Sequence, residues 1–300
     1  MTSGPDTPAT LRAAAATRDI LGEGPVWDEE GEVLWWVDIA GAAIQRIRPT
    51  DGRYDRWTMP ERVTALALRR RGGLVLALSS GFAFFDPAAG AGGLERLPAL
   101  ASLLPGQRLN DGRCDSAGRF WCAAMREQGE QADASLYCLE ADGRASPRLG
   151  GLMVGNSLSW GPGDRTMYLS DTPTGTIHAF DYDPASGAMR NRRPFHTPGP
   201  DVAGLPDGGT VDADGHLWSA RWEGQGLARL RPDGTLDRFV TLPARRVTCC
   251  AFGGPGLRTL YVTSASEGLS EAEAAAQPWA GMLMAFEPGV AGLPARRFAG

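Results

Sequence analysis

The chain has few of the residues that usually make an active site easy to recognise. Only three histidines occur in 300 residues. His178 falls in the strand-like TIHAF, His196 in a proline-rich stretch and His216 in a turn. Imidazole-based metal sites and Ser/His/Asp relays therefore have little to build on. No GxSxG elbow, HExxH helix, Walker loop or Rossmann glycine fingerprint stands in a strand–helix context, and GPGDRT from Gly161 reads as a β-turn that opens no helix. The five cysteines, Cys114, Cys122, Cys138, Cys249 and Cys250, are odd in number and include no CxxC pair. That argues against a disulfide framework and a thiolate zinc site, and it points to reduced thiols in a cytoplasmic protein.

Other absences narrow the partners. Net charge is −5, and the longest basic run, Arg69-Arg70-Arg71, reads as solvated turn. A nucleic-acid partner has no electrostatic footprint here. No stretch approaches the roughly 18 apolar residues of a membrane span, and the polar start MTSGPDTPAT does not resemble a secretory leader. Helical periodicity is scarce too. The exception is SEAEAAA, residues 270–276, a short helix opened by a serine cap.

Glycine (40 residues) and proline (22) instead punctuate many short apolar runs, the signal of strands and turns. The runs repeat. An apolar strand, an Asp/Gly turn and a second apolar strand recur in VWDEEGEVLWWVD, ALALRRRGGLVLAL, RCDSAGRFWCAAM, LSWGPGDRTMYLSD, TVDADGHLWSA and CAFGGPGLRTLYVT. Successive turns are about 40–50 residues apart, the spacing of propeller blades. Each copy is followed by a second hairpin, from IQRIRPTDGRYDRW in the first to MLMAFEPGVAGLPARRF in the last. Two hairpins per copy make a four-stranded antiparallel blade, and six such blades protect one another's edges. The expectation is an all-β six-bladed β-propeller forming one domain over residues 1–300. Residues 1–14 are expected to be disordered or loosely attached, with the segment before Glu23 supplying a closing strand to the last blade.

Aligning the copies on their first turn exposes a ring. Eight residues before the turn position stand Glu23, Thr64, Asn110, Asn156, Asp207 and Thr248, all polar. The first strand of each blade lines the central channel, so these positions converge at one mouth. Two carboxylates and two amides brought together there call for a cation or a shared proton, and oxygen donors suit calcium, magnesium or manganese. Glu23 in GEGP, Asn110-Asp111 in LNDG and Asp207 in PDGG are also ordinary turn chemistry when taken singly. Arg108 lies two residues before Asn110, so strand alternation puts both on one face; it suits binding of substrate oxygens or the offsetting of nearby acids. Asp171 in LSDT parallels Asp38 in VDIA, which favours a structural role. The nine tryptophans mostly follow blade turns and read as core.

The ordered motifs LGEGPVW, RLNDGRCDSAGRFW, GNSLSW, FDYDPASG, LPDGGTVDADGHLW and FGGPGLRTLYVT resemble those of the regucalcin/gluconolactonase family, the senescence marker proteins, from about Leu21 to the C-terminal FAG. The resemblance implies a six-bladed propeller with one divalent metal (Ca, Zn, Mn, Mg or Fe) in the channel and hydrolysis of a sugar lactone. It implies Glu23, Asn156 and Asp207 as metal ligands, Asp207 also as general base, and Arg108 and Asn110 as a substrate-binding pair. Animal members carry two acids after a methionine, the second touching substrate. Here the stretch is Met125-Arg126-Glu127-Gln128, which puts Gln128 at that place. The family also includes calcium-binding regulatory readings without catalysis. The partner expected is a small sugar lactone, the assembly a monomer or weak homodimer.

Overall fold

A computed structural model describes residues 7–197 and 199–300. Six four-stranded antiparallel sheets stack radially as a six-bladed β-propeller. Their inner strands are Gly22–Asp28, Val63–Leu68, Gln107–Cys114, Gly155–Trp160, Leu205–Val211 and Val247–Gly253, in blades 1 to 6. Strands packed on both faces read as continuous buried runs, as VTALAL and GNSLSW do. The outer strands RYDRWT and AMRNRRPFH are polar and largely exposed, which discourages pairing with another chain's edge. The capped helix is present as Glu271–Ala276, with Ser270 and Glu273 forming a capping box. Among the described residues no helix is long and apolar enough to cross a membrane.

The blade turns are pinned by buried aspartates. In CDSAGRFW, Asp115 accepts from the Arg119 backbone N–H (2.9 Å), the Trp121 indole (3.0 Å) and the Tyr182 hydroxyl (2.5 Å). In VDADGHLW, Asp212 accepts from the His216 backbone N–H and the Trp218 indole, both 2.9 Å, and from Arg229 Nε at 2.8 Å. The first network joins blades 3 and 4 through Tyr182 and fixes their packing, while the second holds the turn of blade 5 to its own strands. Asp38 and Asp171 have the structural role expected of them. Asp38 accepts from the Leu21 and Gly41 N–H groups at 3.0 Å, and Asp171 from Val154 N–H at 2.9 Å.

Closure comes from the N-terminal side. Arg12–Ala15 pairs antiparallel with Leu283–Phe286 as the outermost strand of blade 6. Residues 12–14, expected to be loose, are thus held by a sheet ladder; residues 1–6 lie outside the described residues. In the same segment Asp19 accepts from the Trp36 indole (2.8 Å) and Gln45 Nε2 (2.9 Å). Burial pushes its carboxyl up to about 7. The folded state therefore holds a proton that the unfolded chain releases near pH 4, and stability on the order of 4 kcal/mol is lost between about pH 4 and 7. The melting temperature of the wild type relative to Asp19→Asn is expected to fall across that window; a difference flat with pH would refute this.

The last copy departs from the expected second hairpin. After Leu283–Phe286 the chain forms no fourth strand and runs as a strap beneath the channel. Ala213 N–H donates to Ala291 O (2.9 Å), Gly292 N–H to Leu257 O (2.8 Å), Phe298 N–H to Leu68 O (2.8 Å) and Ala299 N–H to Gly118 O (2.9 Å). Arg297 reaches Asp28 at 2.7 Å and Arg296 reaches Asp164 at 3.5 Å. All six first turns are touched. The blade's fourth place was already filled by the N-terminal strand, which frees this segment to cap the lower mouth.

Candidate active site

Each inner strand is kinked at the same point. Register shifts fall at Glu23/Val26, Val63/Ala65, Leu109/Gly112, Asn156/Ser159, Pro206/Gly209 and Val247/Cys249. In every case the inner strand has one residue more than its partner, a β-bulge that re-aims the side chains there. The polar ring sits on these bulges. Two bulges use the left-handed region, Gly24 at φ 54° and Ser157 at φ 58°. A non-glycine residue there costs about 1–2 kcal/mol. Ser157 is held by donating to Asp207 O at 2.5 Å and accepting from the Ser170 hydroxyl at 3.0 Å. Asp207 is followed by Gly208, where a Cβ would stand 2.4 Å from Cys249 Sγ, so glycine lets blade 5 approach blade 6 closely.

Four ring positions converge. Arg108 Nη1 donates to Asn110 Oδ1 at 2.7 Å, and Asn110 Nδ2 donates to Asn156 Oδ1 at 3.0 Å and Gly155 O at 3.1 Å. Arg108 and Asn110 therefore share a face, as alternation requires. Asn156 Nδ2 donates to Thr172 Oγ1 at 2.9 Å, whose hydroxyl donates to Pro206 O at 2.8 Å. This chain orients both amides: each oxygen accepts one hydrogen bond, Asn110's from Arg108 and Asn156's from Asn110, and keeps a second lone pair. The other two ring positions direct their hydroxyls to backbone oxygens: Thr64 donates to Ala77 O in its own blade at 3.3 Å and Thr248 to Gly22 O of blade 1 at 2.5 Å.

Glu23 and Asp207 are buried, at 8% and 7% exposure. Burial pushes both carboxyls well above the ordinary range; Asp207 raises Glu23 further, and Asp111 raises both. The Arg108 guanidinium opposes these shifts, yet its closest acid is Glu127, at 3.8 Å from Nε. Arg221, buried and lowered to about 10 by desolvation, also faces Asp207 but donates to Gly204 O at 2.7 Å and Ala203 O at 3.2 Å. Repelling buried carboxylates without an ion pair are costly unless a cation joins them. Oxygen donors from two acids and one oriented amide fit a hard divalent ion. Among the described residues no group of three His, Cys, Asp or Glu side chains is placed to hold a metal. The candidate set is thus two carboxylates completed by the Asn156 amide, with Asp111 outside it.

Several residues escaped the sequence. Asp111 accepts from the Leu158 N–H at 2.8 Å and faces the channel beside Asn110, which the bulge makes possible and strict alternation hides. Gln128 lies exposed beyond the strand Phe120–Arg126. The acid meeting the arginines is Glu127, 2.5 Å from Arg62 Nη1. The histidines lie away from the ring; His196 Nδ1, for example, meets Gly234 O at 3.1 Å. All five cysteines are free and buried.

Residues 21–266 match the family described as the SMP-30/Gluconolactonase/LRE-like region. The chain is 38% identical to an L-arabinolactonase of Azospirillum brasilense, covering 95% of this chain and 94% of that one. It is 36% identical to a 6-deoxy-6-sulfogluconolactonase of Pseudomonas putida, covering 97% and 99%. A solved structure described as a calcium-binding protein, regucalcin, from Agrobacterium tumefaciens superposes with a TM-score of 0.91 at 28% identity, covering 99% of both chains. Fold, channel chemistry and these likenesses agree: the chain belongs to the SMP-30/gluconolactonase family.

Proposed function

We propose that this protein is a metal-dependent sugar lactonase that opens an aldonolactone to its aldonic acid at the upper mouth of the channel. The observation that carries the reading is the pair of buried, mutually repelling carboxylates, Glu23 and Asp207, beside an oriented amide oxygen and under an arginine. Relatives named as lactonases at 36–38% identity support the reaction class.

Glu23, Asn156 and Asp207 would hold the divalent ion. When bound, such an ion supplies Lewis-acid polarisation of an ester carbonyl and lowers the pKa of water. Asp207 takes the proton from the attacking water and returns it to the leaving ring oxygen, the two tasks of a general base and acid. Arg108 uses Nη1 on Leu109 O and Asn110, which leaves the Nε–Nη2 edge of its fork for substrate oxygens. Asn110 and Gln128 are further candidates for contacting sugar hydroxyls.

A panel of aldonolactones with a pH indicator tests this directly. Acid release is expected from at least one sugar lactone, to fall at least tenfold after chelation, and to return with Mn²⁺, Zn²⁺ or Ca²⁺. Full activity after thorough chelation would remove the metal from the reaction. A second reading, a calcium-binding regulatory propeller without turnover, is favoured by the description of the Agrobacterium neighbour. It predicts cation binding with no acid release from any lactone.

A further inference from the structure

Blade 3 places two arginines on one strand, on either side of Asn110 and Asp111. Arg108 stands above the carboxylates, at the mouth. Arg113 stands below them. Its side chain leaves blade 3 and reaches blade 5, two blades on. Nη2 donates to Gly209 O at 2.8 Å and Nη1 to Thr210 Oγ1 at 3.3 Å. Gly209 and Thr210 follow Asp207 on the same strand, Leu205–Val211. Arg113 is half-buried and lines, with Asp111, Ser159, Thr210 and Arg296, a cavity of about 70 Å³ between the carboxylates and the C-terminal strap.

We propose that Arg113 is a positioning residue for the reaction proposed above: it ties the strand carrying Asp207 to the strand carrying Arg108 and Asn110, and it sets a fixed positive charge beside Asp111, with which it lines the cavity. Two donors of one planar fork hold both distance and orientation, which a lysine ammonium does not. The tie matters because a displacement of about 1 Å in a reacting group costs on the order of a hundredfold in rate. The charge matters for balance. Glu23, Asp111 and Asp207 against Arg108, Arg113 and Arg221 come to zero, and a divalent ion turns this into two positive charges. That complements an oxyanion or a carboxylate product.

The two effects of losing Arg113 have opposite signs, and this separates positioning from a merely structural role. In Arg113→Met the charge that repels an incoming cation is gone, so Mn²⁺ should bind at least as tightly as to the wild type. The tie is gone as well, so kcat should fall at least tenfold with KM changed less than threefold. Arg113→Lys keeps the charge but not the fork, so it should recover kcat only in part and stay at least threefold below wild type. The low-temperature EPR spectrum of bound Mn²⁺, which needs no turnover, should broaden in Arg113→Met as the Asp207 side of its surroundings loosens. Turnover within twofold of wild type, or parallel losses of kcat, Mn²⁺ affinity and melting temperature, would overturn the proposal. If Arg113→Met fails to fold, Arg113→Lys decides: kcat threefold or more below wild type with unchanged Mn²⁺ affinity supports the tie, and wild-type kcat rejects it. A wild type idle on every lactone defeats the lactonase reading alone, because the Mn²⁺ spectra still test Arg113.

Discussion

Asp207→Asn is expected to lower kcat by a factor of about 10³ or more while leaving the propeller intact. General-base catalysis contributes roughly 10²–10⁴-fold, and the same carboxylate is a candidate cation ligand. The fold has little reason to suffer. Ser157 bonds the backbone oxygen of Asp207, at 2.5 Å, and not its side chain. Asp207→Ala should likewise abolish turnover without unfolding. The asparagine variant carries a second, less obvious expectation. Burial, together with Asp111, raises the Asp207 carboxyl, and Asp207 in turn raises Glu23. A raised acid stabilises the fold fully below its unfolded pKa and loses that contribution as pH climbs. At neutral pH without added metal, the variant should therefore melt no lower than the wild type, and higher if the repulsion is strong. Sites commonly trade stability for function in this way. Turnover within tenfold of wild type would remove Asp207 from the chemistry. A large drop in melting temperature would make it a structural residue.

Phe298→Ala should have the largest effect on stability. The ring is 0% exposed and packs in the core shared by blades 2, 3 and 4, 5.9 Å centroid to centroid from Phe84. Truncating a fully buried phenylalanine costs about 3–5 kcal/mol, which for a domain of this size lowers the melting temperature on the order of 10 °C. The backbone ladder around it, Phe298 N–H to Leu68 O and Arg70 N–H to Phe298 O, both 2.8 Å, survives the change, so the loss isolates the side chain. Thermal and urea unfolding measure it. A cost below 1 kcal/mol would mean that the strap is an adornment and that the sheets close the lower mouth unaided.

The fold was legible because its rule is local and repeated. Each turn needs an Asp or Gly at a set place, each inner strand is apolar where it is packed on both faces, and six copies leave little choice of architecture. The four converging site positions were legible for the same reason, since equal places in equal repeats must meet on the axis. Residues that break the repeat were not. Asp111 and Asn110 both reach the channel because a bulge suspends alternation, and a bulge leaves no mark in a composition or a period. Glu127, which meets Arg62 and Arg108, and not Gln128, depends on where the strand ends.

The strap and the reach of Arg113 to blade 5 belong to the same category. Repeats specify how a chain pairs with its neighbours a few residues away. They do not specify where a non-repeating tail goes, or which backbone oxygen a long side chain finds two blades on. Six blades, a ring of polar positions and the oxygen chemistry of that ring thus follow from the order of residues alone. Which of those groups are paired, which remain as repelling carboxylates, and what closes the channel beneath them follow from packing in three dimensions. Pairing and burial are properties of distance in space, and the residues concerned lie as far apart along the chain as Glu23 and Asp207.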